Sequence, residues 1–138
     1  MSAKDIIHDS VKNALIKDGW TITADPFTIR YEDATVFADL AAERAIAAEK
    51  AGNKIIVEIK SFSSPSPLHD LKIALGQYQI YLPFLHELNI DHKLYLAISD
   101  LTYDSLFQRK SVELLVEWYK LSLFVVNLAS EEIIEWIN

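Results

Sequence analysis

The sequence predicts an α/β sandwich in which helices flank a mixed central sheet. Residues 55–62 read as a buried strand because apolar β-branched residues dominate it, and amphipathic helical segments precede and follow it in the chain. The elements run helix, several antiparallel strands, helix, strand, helix, strand. This order favours a mixed sheet over a doubly wound parallel one.

The composition indicates one globular domain over residues 1–138. The chain has no cysteine, which excludes disulfides and cysteine zinc sites and makes a cytoplasmic protein the default expectation. No apolar run reaches the length of a membrane span. The net charge is −7 and the 13 Lys and Arg residues are scattered, so we expect poor non-specific affinity of the isolated chain for nucleic acids.

The first predicted element is a helix over residues 3–18, capped by Ser2 and ended by Gly19. His8 and Asp9 lie off the centre of its apolar stripe, which favours solvent exposure or a local cap over a place at the rim of an active site. Three segments rich in β-branched and aromatic residues follow and are predicted as strands: 20–23, 27–31 and 36–43.

Residues 44–49 are ambiguous, because their alanines and glutamates favour a helix. A strand that continues to a turn at residues 51–53 fits the topology better, since it forms a hairpin with the strand through Glu58. If that turn is tight, Glu58 lies opposite Ala45 and Lys60 lies opposite Glu43.

The second half of the chain contains clearer signals. Ser66 and Pro67 predict a helix start, because serine caps the helix and proline needs no N–H there. The helix is expected over 68–88, with a kink or a break at Pro83. The remaining elements are predicted as a strand over 93–99, a helix over 102–121 with an interruption near Arg109, a strand over 123–128, and a short strand or helix over 131–138.

Glu58 and Lys60 form the most informative pair, because both lie on the same face of a buried strand. Buried charge is costly unless it is paired or binds a metal. The pair therefore indicates either a metal-dependent hydrolytic site or an ion pair at a strand end.

Asp39, on the preceding strand, supports the hydrolytic interpretation. Together with Glu58 and the main-chain carbonyl of Ile59, it would form an oxygen site suited to Mg²⁺ and also to Mn²⁺. Such a metal would polarise a phosphate and acidify a water that Lys60 positions or deprotonates. In the register of a tight turn Asp39 needs a bulge to reach Glu58, which makes Glu43 the alternative first carboxylate.

Gln77 and Tyr81 share one face of the following helix, because they are four residues apart. Either they face the metal site and orient substrate or the lysine, or they cap the edge of the core, with the tyrosine ring inside and its hydroxyl outside.

An acid, an E-x-K motif and a Q-x-x-x-Y motif in this order resemble the PD-(D/E)xK restriction-endonuclease-like superfamily. Longer stretches of the chain, among them Asp39-Leu40, Val57-Glu58-Ile59-Lys60-Ser61-Phe62 and Ala74-Leu75-Gly76-Gln77, resemble the XisH family. That family is described as a controlling factor for excision of the fdxN DNA element in heterocyst-forming cyanobacteria. Ala38 stands where the superfamily motif has proline.

The resemblance implies a restriction-endonuclease-like fold and a set of residue roles. Asp39, Glu58 and Lys60 would take the metal-binding and catalytic places, and Gln77 and Tyr81 the helix motif. It also implies an XisI-type partner acting beside a recombinase, with DNA bound in the presence of that partner, and it leaves a homodimer open. Two functions remain: a Mg²⁺-dependent DNA nuclease, or a non-catalytic adaptor on a nuclease scaffold.

Overall fold

The computed structural model describes residues 5–46 and 49–138. The elements of this part of the chain, in order, are α1 (His8–Lys17), β1 (Thr21–Ala24), β2 (Phe27–Tyr31), β3 (Ala34–Ala38), β4 (Leu40–Ile46), β5 (Glu49–Ile59), α2 (Pro67–Glu87), β6 (Lys93–Ser99), α3 (Asp100–Ser105), α4 (Lys110–Trp118), β7 (Leu123–Asn127) and β8 (Glu132–Ile137). No helix in the described ranges is long and apolar enough to cross a membrane.

Six strands form the central sheet in the order β1-β4-β5-β6-β7-β8, and β2 and β3 form a separate two-stranded sheet. In the central sheet, β6 runs parallel to both of its neighbours, and the other pairs are antiparallel. The crossover from β5 to β6 contains α2, as parallel strands require. The predicted mixed α/β sheet flanked by helices is confirmed.

Successive side chains of β5 point to opposite faces of the sheet and so belong to two different hydrophobic clusters. Ile55, Val57 and Ile59 belong to the cluster that α1 covers, whereas Ile56 belongs to the cluster that α2 covers. Glu58 continues the row of Ile56, so the strand directs its carboxylate towards α2.

Two predictions for the first forty residues need correction. Residues 5–7 are not helical, and the described helix begins at His8, because Asp5 starts a turn by accepting hydrogen bonds from the backbone N–H groups of Ile7 and His8. Residues 3–4 of the predicted helix and its predicted cap Ser2 lie outside the described residues. The strand expected over 36–43 is divided at Asp39, where the chain leaves the small sheet and enters the central one.

The predicted turn at residues 51–53 is wrong, because these residues lie inside β5 and the hairpin continues until Ile46 pairs with Glu49. Gly52 has a φ of +64°, and a Cβ on it would lie 2.7 Å from the carbonyl oxygen of Arg44. Pairing is irregular between Arg44 and Ile46. Gly52 therefore accommodates a β-bulge, a feature at which glycine is common within strands.

The rest of the chain follows the predictions more closely. Helix α2 has Ser66 as its cap and continues through Pro83 without a break. The interruption expected near Arg109 is confirmed, because it separates α3 from α4. Of the two alternatives for the tail, the strand is correct, since β8 pairs with β7.

Candidate active site

The register of the central hairpin places Asp39 beside Glu58. Leu40 pairs with Val57, so the next residues outward, Asp39 and Glu58, lie next to each other where the two strands separate. The backbone N–H of Ile59 donates a hydrogen bond of 2.7 Å to Oδ2 of Asp39. This bond fixes the Asp39 carboxylate against the end of β5.

Glu43 is not the first carboxylate of this pair, because it pairs with Lys54 in the middle of the hairpin and is exposed. The expectation that Glu58 lies opposite Ala45 is also wrong. Both errors have one cause, the assumption of a tight turn at Gly52, since the strands extend past that residue.

Glu58 is buried, with 6% of its surface exposed, and it contacts Tyr81 of α2. The Tyr81 hydroxyl lies 3.0 Å from Oε1 of Glu58 and 2.9 Å from the carbonyl oxygen of Phe37. A tyrosine hydroxyl has one hydrogen to donate, so both contacts are satisfied together when Glu58 is protonated and donates to the tyrosine oxygen.

Burial and charge repulsion perturb the two carboxyl groups. Burial and, next in size, the negative charge of Asp39 together raise the pKa of Glu58 to about 8, against opposing effects of the Tyr81 hydrogen bond, Lys60 and the backbone N–H of Asp39. Burial also raises the pKa of Asp39, although the hydrogen bond from Ile59 opposes this. Two neighbouring carboxylates of this kind favour one shared proton or a bound cation.

Tyr81 remains a hydrogen-bond donor over the physiological range. Burial raises the pKa of its hydroxyl, and the negative charges of Glu58 and Asp39 act in the same direction. The sequence left open whether Tyr81 faces this site or caps the edge of the core with its hydroxyl outside. The structure shows the whole side chain buried, with its hydroxyl inside the protein against Glu58.

Lys60 interacts electrostatically with Glu58, whereas Gln77 makes no hydrogen bond to the carboxylate pair within the described ranges. Lys60 is half-buried directly after β5, and its backbone N–H donates to the carbonyl of Ala97. The positive charge of its side chain lowers the pKa of Glu58. Gln77 lies one helical turn before Tyr81, and its Oε1 atom is buried with no hydrogen-bond partner among the described residues. Among the described residues, the structure therefore brings Asp39, Glu58, Lys60 and Tyr81 together, and it shows no hydrogen bond between Gln77 and any of them.

A second polar cluster lies next to Asp39, and sequence reasoning missed it. His8 is only 3% exposed, so its predicted exposure is wrong, whereas Asp9 is exposed as expected. Nε2 of His8 lies 2.9 Å from Oδ1 of Asp25, and Lys12 donates to Oδ2 of Asp25 at 2.8 Å. The electrostatic effect of His8 on Asp39 lowers the pKa of that carboxyl group.

The N-terminal segment is also tied to the end of β5, because Oδ2 of Asp5 accepts a 3.0 Å hydrogen bond from the backbone N–H of Ser61.

The sequence contained one signal for the cluster of His8, Lys12 and Asp25. His8 and Lys12 are four residues apart and share a helix face. Their partner Asp25 lies thirteen or more residues away, so only the tertiary fold identifies it.

The donor set at the hairpin end suits a hard divalent cation. In the described part of the chain, no group of three or more His, Cys, Asp or Glu side chains has a metal-binding arrangement. Two carboxylates and the main-chain carbonyl of Ile59 leave the other positions to water or substrate, which is how Mg²⁺ is usually held. The raised pKa values of the two carboxyl groups agree with a cation bound there.

The chain is similar to proteins of one family. The family model described as "XisH protein" matches residues 1–134. A crystal structure of an XisH family protein from Nostoc punctiforme is 36% identical, with a TM-score of 0.87 over 97% of this chain and 100% of that one. A structure of an fdxN element excision controlling factor protein from Anabaena variabilis is 36% identical, with a TM-score of 0.86 over 98% and 100% of the two chains. The comparison with curated proteins finds no match.

Proposed function

Since the chain belongs to the XisH family, we propose that it is a DNA-element excision controlling factor with a Mg²⁺-dependent phosphodiesterase site on a restriction-endonuclease-like core. The observation that carries the catalytic part is that half-buried Asp39 and buried Glu58 lie side by side on adjacent strands. The role in excision follows the description of the Anabaena variabilis relative.

Each residue has a defined task in this proposal. Asp39, Glu58 and the carbonyl of Ile59 hold the cation, which when bound polarises the scissile phosphate and acidifies a water. Lys60 orients that water and offsets the negative charge that develops in the transition state. Tyr81 fixes the Glu58 carboxylate through the 3.0 Å hydrogen bond, and Gln77 positions a substrate phosphate.

A supercoiled-plasmid nicking assay with Mg²⁺ or Mn²⁺ tests the catalytic part, with the chain alone and with an XisI-type partner. Glu58→Gln keeps the shape of the side chain and removes a cation ligand, and Lys60→Met removes only the charge. We expect each variant to lose about 10²–10⁴-fold in cleavage rate. Glu43→Gln, on the exposed middle of the same hairpin, is the matched control and should cleave like wild type.

Cation binding is measured independently by calorimetry. We expect wild type and Lys60→Met to bind Mn²⁺ and Glu58→Gln to bind it at least about tenfold more weakly. If none of these proteins cleaves DNA with the partner present, the nuclease function is wrong. If wild type also binds no divalent cation, the metal site is wrong as well.

The net charge of −7 favours a second function, a non-catalytic adaptor that acts with an XisI-type partner and a recombinase. A chain with scattered cations needs basic surface from a partner to approach DNA. In that case the partner would recruit the chain to DNA, and Glu58→Gln would support excision as well as wild type.

A further inference from the structure

The solvent-facing side of α4 has two large apolar side chains that are exposed to water. Val112 points into the core and is fully buried, and Leu115 and Val116 pack against the same cluster. On the opposite face, Leu114 is 61% exposed and Trp118 is 75% exposed. A helix on a core normally presents polar residues there, and exposed tryptophan is the residue type most enriched in interface hot spots.

These side chains form one continuous stripe with two charged residues. Lys110, Leu114, Glu117 and Trp118 follow the spacing i, i+4, i+7 and i+8, which places them on one face of a helix. We name these four residues the α4 stripe. Its first residue is a cation, its centre is apolar, and an anion lies near its end beside the tryptophan.

The order of charges along one α4 stripe is complementary to that of a second α4 stripe that runs in the opposite direction. If two α4 stripes meet antiparallel about a two-fold axis at Leu114, each Leu114 faces its symmetry mate, and each Lys110 faces Glu117 and Trp118 of the other copy. Opposite charges then meet twice, and each ammonium also lies near an indole ring. A parallel arrangement would instead place like charges together.

We infer that the α4 stripe is a homodimer interface, in which two copies of the chain pack α4 antiparallel with Leu114 at the two-fold axis and one Trp118 on each side of it. Lys120, the first cation after the helix, has a φ of +52° and lines a cavity of about 520 Å³ beside Val116. Glu117 of the stripe also lines that cavity, whereas Leu114 and Trp118 do not. The interface is separate from the carboxylate pair, so the inference does not depend on the proposed catalytic function.

Sedimentation equilibrium of the full chain from micromolar to millimolar concentration tests this inference. We expect wild type to dimerise, Trp118→Ala to weaken the dimer at least about tenfold, and Lys110→Glu and Glu117→Lys each to weaken it by about the same factor. Two exposed residues of α2 provide the controls: Ile80→Ala and Lys72→Glu should dimerise like wild type.

An equimolar mixture of Lys110→Glu with Glu117→Lys gives the decisive readout. In the mixed dimer both charge pairs are opposite again, so the mixture should associate as wild type does, while each variant alone should associate at least about tenfold more weakly. A wild-type chain that is monomeric at millimolar concentration overturns the inference, and so does a dimer that Trp118→Ala leaves intact. A mixture no more associated than its components overturns the antiparallel arrangement. Circular dichroism melting confirms that each variant is folded.

Discussion

Replacing Glu58 with glutamine should stabilise the cation-free protein at alkaline pH. The carboxyl of Glu58 has a pKa of about 8 in the folded protein, against 4.5 as its ordinary value. The folded state therefore binds this proton more tightly than the unfolded chain does. The contribution of Glu58 to stability is fully present below pH 4.5, falls as the pH rises towards 8, and then stays at its lower level.

The size of the effect follows from the two pKa values. Each pH unit between them corresponds to about 1.4 kcal/mol, so ionised Glu58 costs about 3–5 kcal/mol of folding free energy at pH 9. Glutamine has the shape of the protonated carboxyl, carries no charge and can donate to the Tyr81 oxygen. Glu58→Gln and wild type should thus be about equally stable at pH 5, and the variant should be more stable by about 3–5 kcal/mol at pH 9.

Urea unfolding in EDTA at several pH values between 5 and 9 measures this difference. Added Mg²⁺ should stabilise wild type at pH 9 and leave Glu58→Gln unchanged, because a cation that binds only the folded state increases its stability. Glu43→Gln is the control, since Glu43 is exposed and lies away from the carboxylate pair. Stability curves of wild type and Glu58→Gln that run parallel across this pH range would refute the reasoning.

Asp39→Asn should lower the pKa of Glu58, because it removes the neighbouring negative charge. Carbon-detected NMR titration of the Glu58 carboxyl measures this pKa, and an unchanged value would contradict the proximity of the two groups. Tyr81→Phe should shift the same titration in the opposite direction, because it removes a hydrogen bond that favours the ionised form. Gly52→Ala should cost about 2–3 kcal/mol in thermal unfolding, because alanine is strained at this φ and its Cβ would collide with the Arg44 carbonyl; an unchanged melting temperature would mean that the bulge is not required.

Local patterns were sufficient for most elements. The β-branched run through Ile59 gave β5, and Ser66 with Pro67 gave the start of α2, because strand alternation and helix capping depend on neighbours in the sequence. The error at Gly52 arose because glycine is typical of both turns and β-bulges. The close approach of Gly52 to the carbonyl oxygen of Arg44, which is distant in the sequence, identifies the bulge.

The candidate site shows the same division. Asp39 and Glu58 lie side by side, as one of the two predicted arrangements had it, although the tight turn predicted at Gly52 would have placed Asp39 out of register with Glu58. Only the structure places the Tyr81 hydroxyl against Glu58. His8 and Asp25 could not be paired from the sequence, because a hydrogen bond between side chains seventeen residues apart depends on how α1 crosses the sheet.

The sequence by itself determined the family, the mixed α/β class and the residue types of the site, since each of these is written in short-range spacing and in motifs along the chain. The tertiary structure decided which carboxylate stands beside Glu58, that His8 is buried, and that Leu114 and Trp118 face water. The physical reason is that register and burial depend on strand pairing and packing between distant segments, and these contacts are settled only when the whole chain has folded.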